Sequence, residues 1–318
     1  MKKIVVAGGG VLGSQIAFQT AFCGFDVTIW LRSKESITRT KPKLDSLKNA
    51  YIDRINKMST EEGKSLAIWA RGIADIKEAQ SFNKDEYLKK TEDAAKNLKI
   101  ELNLAEAVKD ADLIIESMSE DFNQKKAFYK KLAPLIEPNT ILVTNSSTLL
   151  PSKLAKFTGC EQRFLALHFA NEIYFNNTAE IMAQSKTKPE YFDTVINFAK
   201  QIKMIPLPVR KEKAGYLLNS MLVPFLFAAQ DLLANGISDA ESIDKAWTLG
   251  TGAPKGPFQI LDIVGLKTAY NIVQMYVNVP SFIAPYNFKK IAEVLKKYID
   301  EGKLGVESGE GFYKYHDK

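Results

Sequence analysis

Short unbroken apolar runs recur along the first two thirds of the chain, separated by stretches with helical spacing. Lys3–Ala7 (KIVVA) is β-branched and apolar, as expected of a parallel strand buried on both faces. After it come Gly8-Gly9-Gly10-Val11-Leu12-Gly13 and then Ile16, Ala17, Thr20 and Ala21 at helical spacing, with Gly24 in the favoured position to close that helix. Asp26–Leu31 (DVTIWL) reads as a second strand. Strand-like runs resume at Lys99–Leu102, Leu113–Ser117, Ile141–Asn145, Phe164–Phe169, Thr178–Met182 and Ile205–Val209, giving eight candidates. Helical patterns lie between most of them, and such alternation predicts an α/β fold with a doubly wound sheet.

Two regions depart from that rhythm. Residues 34–97 are charged, with Leu47, Tyr51, Ile55, Leu66, Ile68, Trp69 and Ile73 at spacings that suit helices, and they read as a helical arm on the first domain. After Arg210 the strand pattern stops, and from Ala214 onward long helical apolar patterns (Leu217, Leu218, Met221, Leu222, Phe225) alternate with short polar breaks. The expected organisation is therefore a sheet domain over residues 1–210 and an all-helical domain over residues 211–318.

Composition narrows the function classes. The chain has 318 residues, 46% hydrophobic and 25% charged, and a formal net charge of +6. That is ordinary for a soluble globular protein, and the small basic surplus, with no basic tract, predicts no nucleic-acid partner. Cys23 and Cys160 are too few for a disulfide framework and have no metal-ligand spacing, so a reducing cytoplasm and no metal site are expected. The N-terminal apolar stretch is too short for a signal-peptide core, and Met221–Ala234 is broken by Pro224, Gln230 and Asp231, so no membrane association is expected.

Gly8-x-Gly10-x-x-Gly13 is a weak motif alone, but here it follows a strand and opens a helix, the context that dinucleotide binding requires. Gly8 permits the tight turn, Gly10 lets backbone approach a pyrophosphate, and Gly13 lets helix and strand pack closely. The alternative is a purely structural glycine turn. NAD-preferring sites usually carry an acid at the end of the second strand, ~20 residues on. Leu31 stands there, followed by Arg32, Ser33 and Lys34. Arg32 can pair with a 2′-phosphate, which predicts NADP(H) over NAD(H). The alternative is a solvated loop with NAD held by backbone alone.

Of the two histidines, His316 lies in a charged tail and His168 ends an apolar run. Glu180 follows twelve residues later, after a polar loop. If the two runs lie side by side, the carboxylate can hold one imidazole nitrogen and leave the other for acid–base chemistry. A satisfied core histidine beside a surface glutamate is the alternative. Thr144-Asn145-Ser146-Ser147-Thr148 follows a strand and would present hydroxyl and amide groups where ligands bind, although such clusters also serve as ordinary turns and caps.

Several motifs then appear together in order: Gly8–Gly13, Ile115-Glu116 through Glu120, Thr144–Ser147, Leu167-His168-Phe169, Glu180, Ala214-Gly215-Tyr216-Leu217-Leu218-Asn219, Gly256-Pro257-Phe258 with Asp262 and Gly265, and Gly309–Tyr313. On these the chain resembles the L-3-hydroxyacyl-CoA dehydrogenase family over nearly its full length, the arm excepted. Within that family it looks most similar to bacterial diketoreductases, through Asn145–Pro151, His168–Asn171 and Gly250–Gly256. The resemblance implies a Rossmann-like domain, a helical domain through which two subunits pair, a site between the domains, and a role in fatty acid metabolism. It implies His168 as general acid/base, Glu180 as its partner, and Ser147 and Asn219 as substrate contacts. Gly8, Gly10, Val11, Leu12, Gly13, Glu120 and Asn145 would contact the cofactor, with Arg32 and Ser33 at its ribose. The substrate would be a 3-ketoacyl or 3-hydroxyacyl compound, as a CoA thioester or as a free keto or diketo ester. Two departures stand out: the missing acid after the second strand, and His168-Phe169-Ala170-Asn171-Glu172 where the family reads His-Phe-Phe-Asn-Pro. The alternatives are a 3-hydroxyisobutyrate-type dehydrogenase using a lysine such as Lys213, and a non-catalytic dinucleotide-binding protein.

Overall fold

The computed structural model describes residues 1–280 and 282–315, so His316 lies outside the described residues. The chain divides into two compact units, Met1–Leu217 and Leu218–Lys318. In the first unit, β1 (Lys3–Ala7), α1 (Val11–Phe22) and β2 (Asp26–Trp30) are followed by the arm, α2 (Lys34–Met58) and α3 (Lys84–Asn97). Next come β3 (Lys99–Glu101), α4 (Leu104–Val108), β4 (Leu113–Glu116), α5 (Phe122–Leu132), β5 (Ile141–Thr144) and α6 (Pro151–Ala155). The unit continues with β6 (Phe164–Phe169), β7 (Thr178–Ala183), α7 (Pro189–Gln201) and β8 (Ile205–Val209).

The eight strands make one sheet in the order β3-β2-β1-β4-β5-β6-β7-β8, and every neighbouring pair is parallel except β6 and β7. All eight expected strands are present, with ends shifted by no more than one residue. Helices cover both faces, which is why Ile4, Val5, Val6, Ile114, Ile115, Leu142 and Val143 are apolar without alternation and wholly buried. Parallel pairing across β1, β4, β5 and β6 brings the carboxyl ends of these strands to one edge of the sheet.

The arm is only partly helical, which corrects the sequence reading. Between Met58 and Lys84 the chain forms turns and two short 3-10 helices (Glu62–Lys64 and Ile76–Ser81) rather than α-helix, and Leu66, Ile68, Trp69 and Ile73 lie in the turns. Turn hydrogen bonds do the work there, from Ile68 N and Trp69 N to Ser65 O and from Ile73 N to Ala70 O. Trp69 and Ile73 are still buried, in a cluster with Tyr51, Tyr87 and the Phe18 and Phe22 rings of α1. Apolar spacing revealed the burial but not the backbone that achieves it.

The second unit is helical: α8 (Leu218–Ala234), α9 (Ala240–Thr251), α10 (Pro257–Val264), α11 (Leu266–Gln274) and α12 (Phe288–Asp300). Phe258, Leu261, Leu266, Val273, Ile291 and Leu295 form its core. The buried Asp262 carboxylate accepts hydrogen bonds from Phe312 N (2.8 Å), Tyr313 N (2.9 Å) and Tyr315 Oη (2.9 Å), latching the C-terminal turn onto α10. A side chain at Gly311 would collide with that carboxylate. Among the described residues, no helix is long and apolar enough to cross a membrane.

Candidate active site

At the carboxyl edge of the sheet, the chain leaves β1 through the glycine turn. Gly8 has φ +122°, and a Cβ there or at Gly13 would collide with backbone, that of Ser117 or of Gly8 itself. Gly10 is different: nothing lies within 4 Å of a Cβ built there. Gly10 also precedes α1 without any side-chain cap, so the first N–H groups of that helix face outward unpaired by its own turns. Val11 beside them is 59% exposed, and Leu12 is half-buried. Open space, uncapped donors and the positive end of a helix dipole fit the phosphates of a dinucleotide.

Beyond β2, Leu31 is buried and can offer nothing polar. Arg32 is exposed, its Nη1 3.5 Å from Gln124 Oε1, while Ser33 Oγ is 3.3 Å from Ser36 Oγ. Arg39 donates to the same Ser36 Oγ at 3.2 Å. Glu35, a carboxylate the sequence reading passed over, has its pKa lowered chiefly by a hydrogen bond from Ser33.

His168 and Glu180 face each other in the β6–β7 ladder. Nδ1 lies 2.9 Å from Glu180 Oε2, and Nε2 lies 3.1 Å from Ser147 Oγ. An ionised carboxylate only accepts, so Nδ1 carries a proton and Nε2 is the nitrogen left for chemistry. Glu180 Oε1 accepts from Leu217 N at 2.8 Å. Asn145 ties β5 to β6: its Oδ1 accepts from Phe169 N (3.1 Å) and its Nδ2 donates to Ser117 Oγ (3.3 Å). His168 and Glu180 are buried, and Ser147 is half-buried.

Residues 3–213 match the family model described as "3-hydroxyacyl-CoA dehydrogenase, NAD binding domain", and residues 215–315 match "3-hydroxyacyl-CoA dehydrogenase, C-terminal domain". The chain belongs to the 3-hydroxyacyl-CoA dehydrogenase family. It is an oxidoreductase with a nicotinamide cofactor. The first match runs through the arm, so the likeness is wider than the motifs alone indicate. The chain is 29% identical over 316 residues to the human mitochondrial hydroxyacyl-coenzyme A dehydrogenase, covering 99% of this chain and 91% of that protein. It is 29% identical over 315 residues to the 3-hydroxybutyryl-CoA dehydrogenase of Clostridioides difficile, covering 99% of each. A solved structure of a diketoreductase, described for dual catalysis of dicarbonyl compounds, is 45% identical with a TM-score of 0.83, covering 99% of each chain.

Glu120 Oε1 accepts from Ser146 Oγ (2.6 Å) and from Thr148 N and Oγ1 (2.7 Å each), holding the turn that carries Ser147. Burial alone would raise the Glu120 carboxyl, but those donors and the Lys125 charge outweigh it and hold it below the usual range. Lys125 also reaches the buried Glu116 (2.6 Å), whose other oxygen takes Tyr129 Oη and Thr144 Oγ1 at 2.8 Å each. Lys213 is exposed, with its peptide N–H 3.2 Å from Met182 Sδ. Asn219 belongs to the second unit, in the first turn of α8. Residues 214–217 form a turn outside that helix, correcting the helical reading that began at Ala214.

Sequence reasoning missed the role of one aromatic. Tyr216 stacks on His168 with ring centroids 4.5 Å apart and 12° between planes, and its hydroxyl donates to Ser146 O at 2.7 Å. The motif around it was visible, but its left-handed backbone (φ +51°) follows from tertiary contacts that no local pattern encodes.

Proposed function

We propose that the protein interconverts 3-ketoacyl and 3-hydroxyacyl compounds, with His168 as the general acid/base. The observation that carries this reading is the unbroken line Ser147 Oγ, His168 Nε2, His168 Nδ1, Glu180 Oε2 at the carboxyl edge of the sheet. Gly8, Gly10, Val11, Leu12 and Gly13 would hold the cofactor phosphates, with Glu120 and Asn145 shaping the floor nearby. When bound, the nicotinamide exchanges a hydride with substrate carbon 3.

The residues of this chain do the rest. In reduction, imidazolium His168 donates its Nε2 proton to the substrate oxygen as that oxygen gains negative charge. Glu180 balances the imidazolium and, held by Leu217 N, keeps the ring from turning. Ser147 donates to the same oxygen, and the role that the resemblance gives Asn219, a donor to that oxygen, belongs to this proposal. In oxidation the neutral Nε2 takes the proton back.

Three finer readings complete the proposal. NADP(H) is the preferred cofactor, supported by exposed Arg32 and by buried Leu31 where an acid would otherwise stand. The substrate is a 3-keto or 3-hydroxyacyl compound, a CoA thioester in the main reading. A second reading, a free keto or diketo ester, is favoured by the 45% identity to a diketoreductase and by exposed Glu172, an added negative charge four residues past His168. The helical unit, which begins at Leu218 rather than at residue 211, is the substrate and pairing domain of a homodimer, supported by exposed apolar side chains such as Met221 (66%), Ile237 (69%) and Leu249 (83%). Free Cys23 and Cys160 fit a cytoplasmic setting.

The test is His168→Ala, assayed with acetoacetyl-CoA and with a 3,5-diketo ester. Loss of about 10²- to 10⁴-fold in turnover with cofactor binding retained is expected. A variant that keeps its activity on both compounds overturns the assignment.

A further inference from the structure

Tyr216 sits at a costly place in the backbone. It follows Gly215 (φ +81°) and itself adopts φ +51°, a left-handed conformation that a bulky side chain rarely holds. Such strain persists where surrounding contacts over-determine it. Here contacts of the turn reach the reacting group and its supports. The Tyr216 ring lies flat on the His168 imidazole. Its hydroxyl donates to Ser146 O (2.7 Å), Gly215 N donates to Ser147 O (3.2 Å), and Leu217 N donates to Glu180 Oε1 (2.8 Å).

We propose that Tyr216 is a positioning residue for the reaction, clamping the His168 ring in plane while its hydroxyl and neighbouring peptides hold Ser147 and Glu180 to the same frame. The inference rests on the reading of His168 as acid/base. An imidazole hydrogen-bonded at both nitrogens can still tilt about the line joining its two partners, and a flat aromatic face opposes that tilt. Burial pushes the Tyr216 phenol well above its ordinary range, so the hydroxyl remains a donor to Ser146 throughout the working pH.

The experiment compares the full-length protein with Tyr216→Leu, which removes the ring, and Tyr216→Phe, which keeps it. The chain has only two histidines, so the imidazole C–H proton resonances of His168 are distinguished from those of His316 by one His316→Ala spectrum. In the parent protein they are expected upfield of their unfolded positions, shielded by the Tyr216 ring. They are expected to move downfield in Tyr216→Leu and to stay in Tyr216→Phe.

In keto reduction, Tyr216→Leu is expected to lose about 10- to 100-fold in kcat, with KM and cofactor affinity changed by less than about threefold. Tyr216→Phe should recover most of that loss. Unshielded His168 protons in the parent overturn the clamp even if the leucine variant does not fold. So does a folded Tyr216→Leu with kcat within about twofold of the parent, or a Tyr216→Phe as impaired as it. If His168→Ala abolishes activity and Tyr216→Leu does not, only the clamp falls. If His168→Ala stays active, the site reading falls, and the spectrum still reports the stack.

Discussion

His168 and Glu180 are direct partners across the antiparallel ladder of β6 and β7, with Nδ1 2.9 Å from Oε2 and both side chains buried. A glutamine in place of Glu180 keeps an oxygen acceptor there but removes the charge. A hydrogen bond to a charged group contributes about 1.5–3 kcal/mol. Glu180→Gln is therefore expected to lower kcat for keto reduction roughly 10- to 150-fold while leaving cofactor affinity intact. Stopped-flow reduction at saturating cofactor checks this, and an unchanged kcat would separate the carboxylate from the chemistry.

That pairing was legible in the sequence because β6 and β7 are short apolar runs joined by a polar loop, so His168 and Glu180 fall near one another for any tight return. The strands were legible for a related reason: a strand covered on both faces has only one apolar pattern, as in Ile4–Val6. Residues 59–83 were not, because Trp69 and Ile73 are buried by turns that pack on Phe18, Phe22 and Tyr51, outside the segment itself. Tyr216 was hidden in the same way. It falls in the stretch from Ala214 onward that reads as helical, yet its conformation answers to His168 and Ser146, distant in sequence.

The glycine turn separates folding from cofactor binding. Gly13→Ala puts a methyl group against the Gly8 backbone and is expected to lower stability by about 1–3 kcal/mol. Gly10 has φ −68° and open space around it, so Gly10→Ala should melt close to the parent. Its methyl group stands where the pyrophosphate would approach, so dinucleotide affinity should fall about tenfold or more. Thermal melts with a fluorescence titration of the reduced cofactor distinguish the two, and unimpaired binding by Gly10→Ala would leave the turn purely structural.

Arg32 is exposed beyond β2, and among the described residues its side-chain hydrogen bond is a long one, 3.5 Å to Gln124. A guanidinium so weakly engaged can turn to a 2′-phosphate without breaking a strong contact. Turnover at low cofactor concentration is expected to favour NADPH over NADH in the parent. Arg32→Ala should weaken NADPH by roughly 10- to 100-fold and leave NADH nearly unchanged. A parent that favours NADH, with Arg32→Ala affecting both cofactors alike, would assign the loop to solvent.

Glu120 links acid stability to the turn that carries Ser147. Burial opposes its charge, but Ser146, Thr148 and Lys125 outweigh that and keep its folded pKa below the ordinary 4.5. A carboxyl depressed on folding stabilises the protein above its unfolded pKa, and that contribution is lost as pH falls through the folded value. Between about pH 5 and about pH 3 the parent should lose melting temperature more steeply than Glu120→Gln, which has no proton to take up. Near neutrality the parent should melt higher than Glu120→Gln, because the amide cannot match a carboxylate that accepts three hydrogen bonds through one oxygen. Melting curves of both proteins across that range test the link directly: parallel pH profiles would show that Glu120 contributes nothing to the acid limb and that the Ser146–Thr148 turn is held by other contacts.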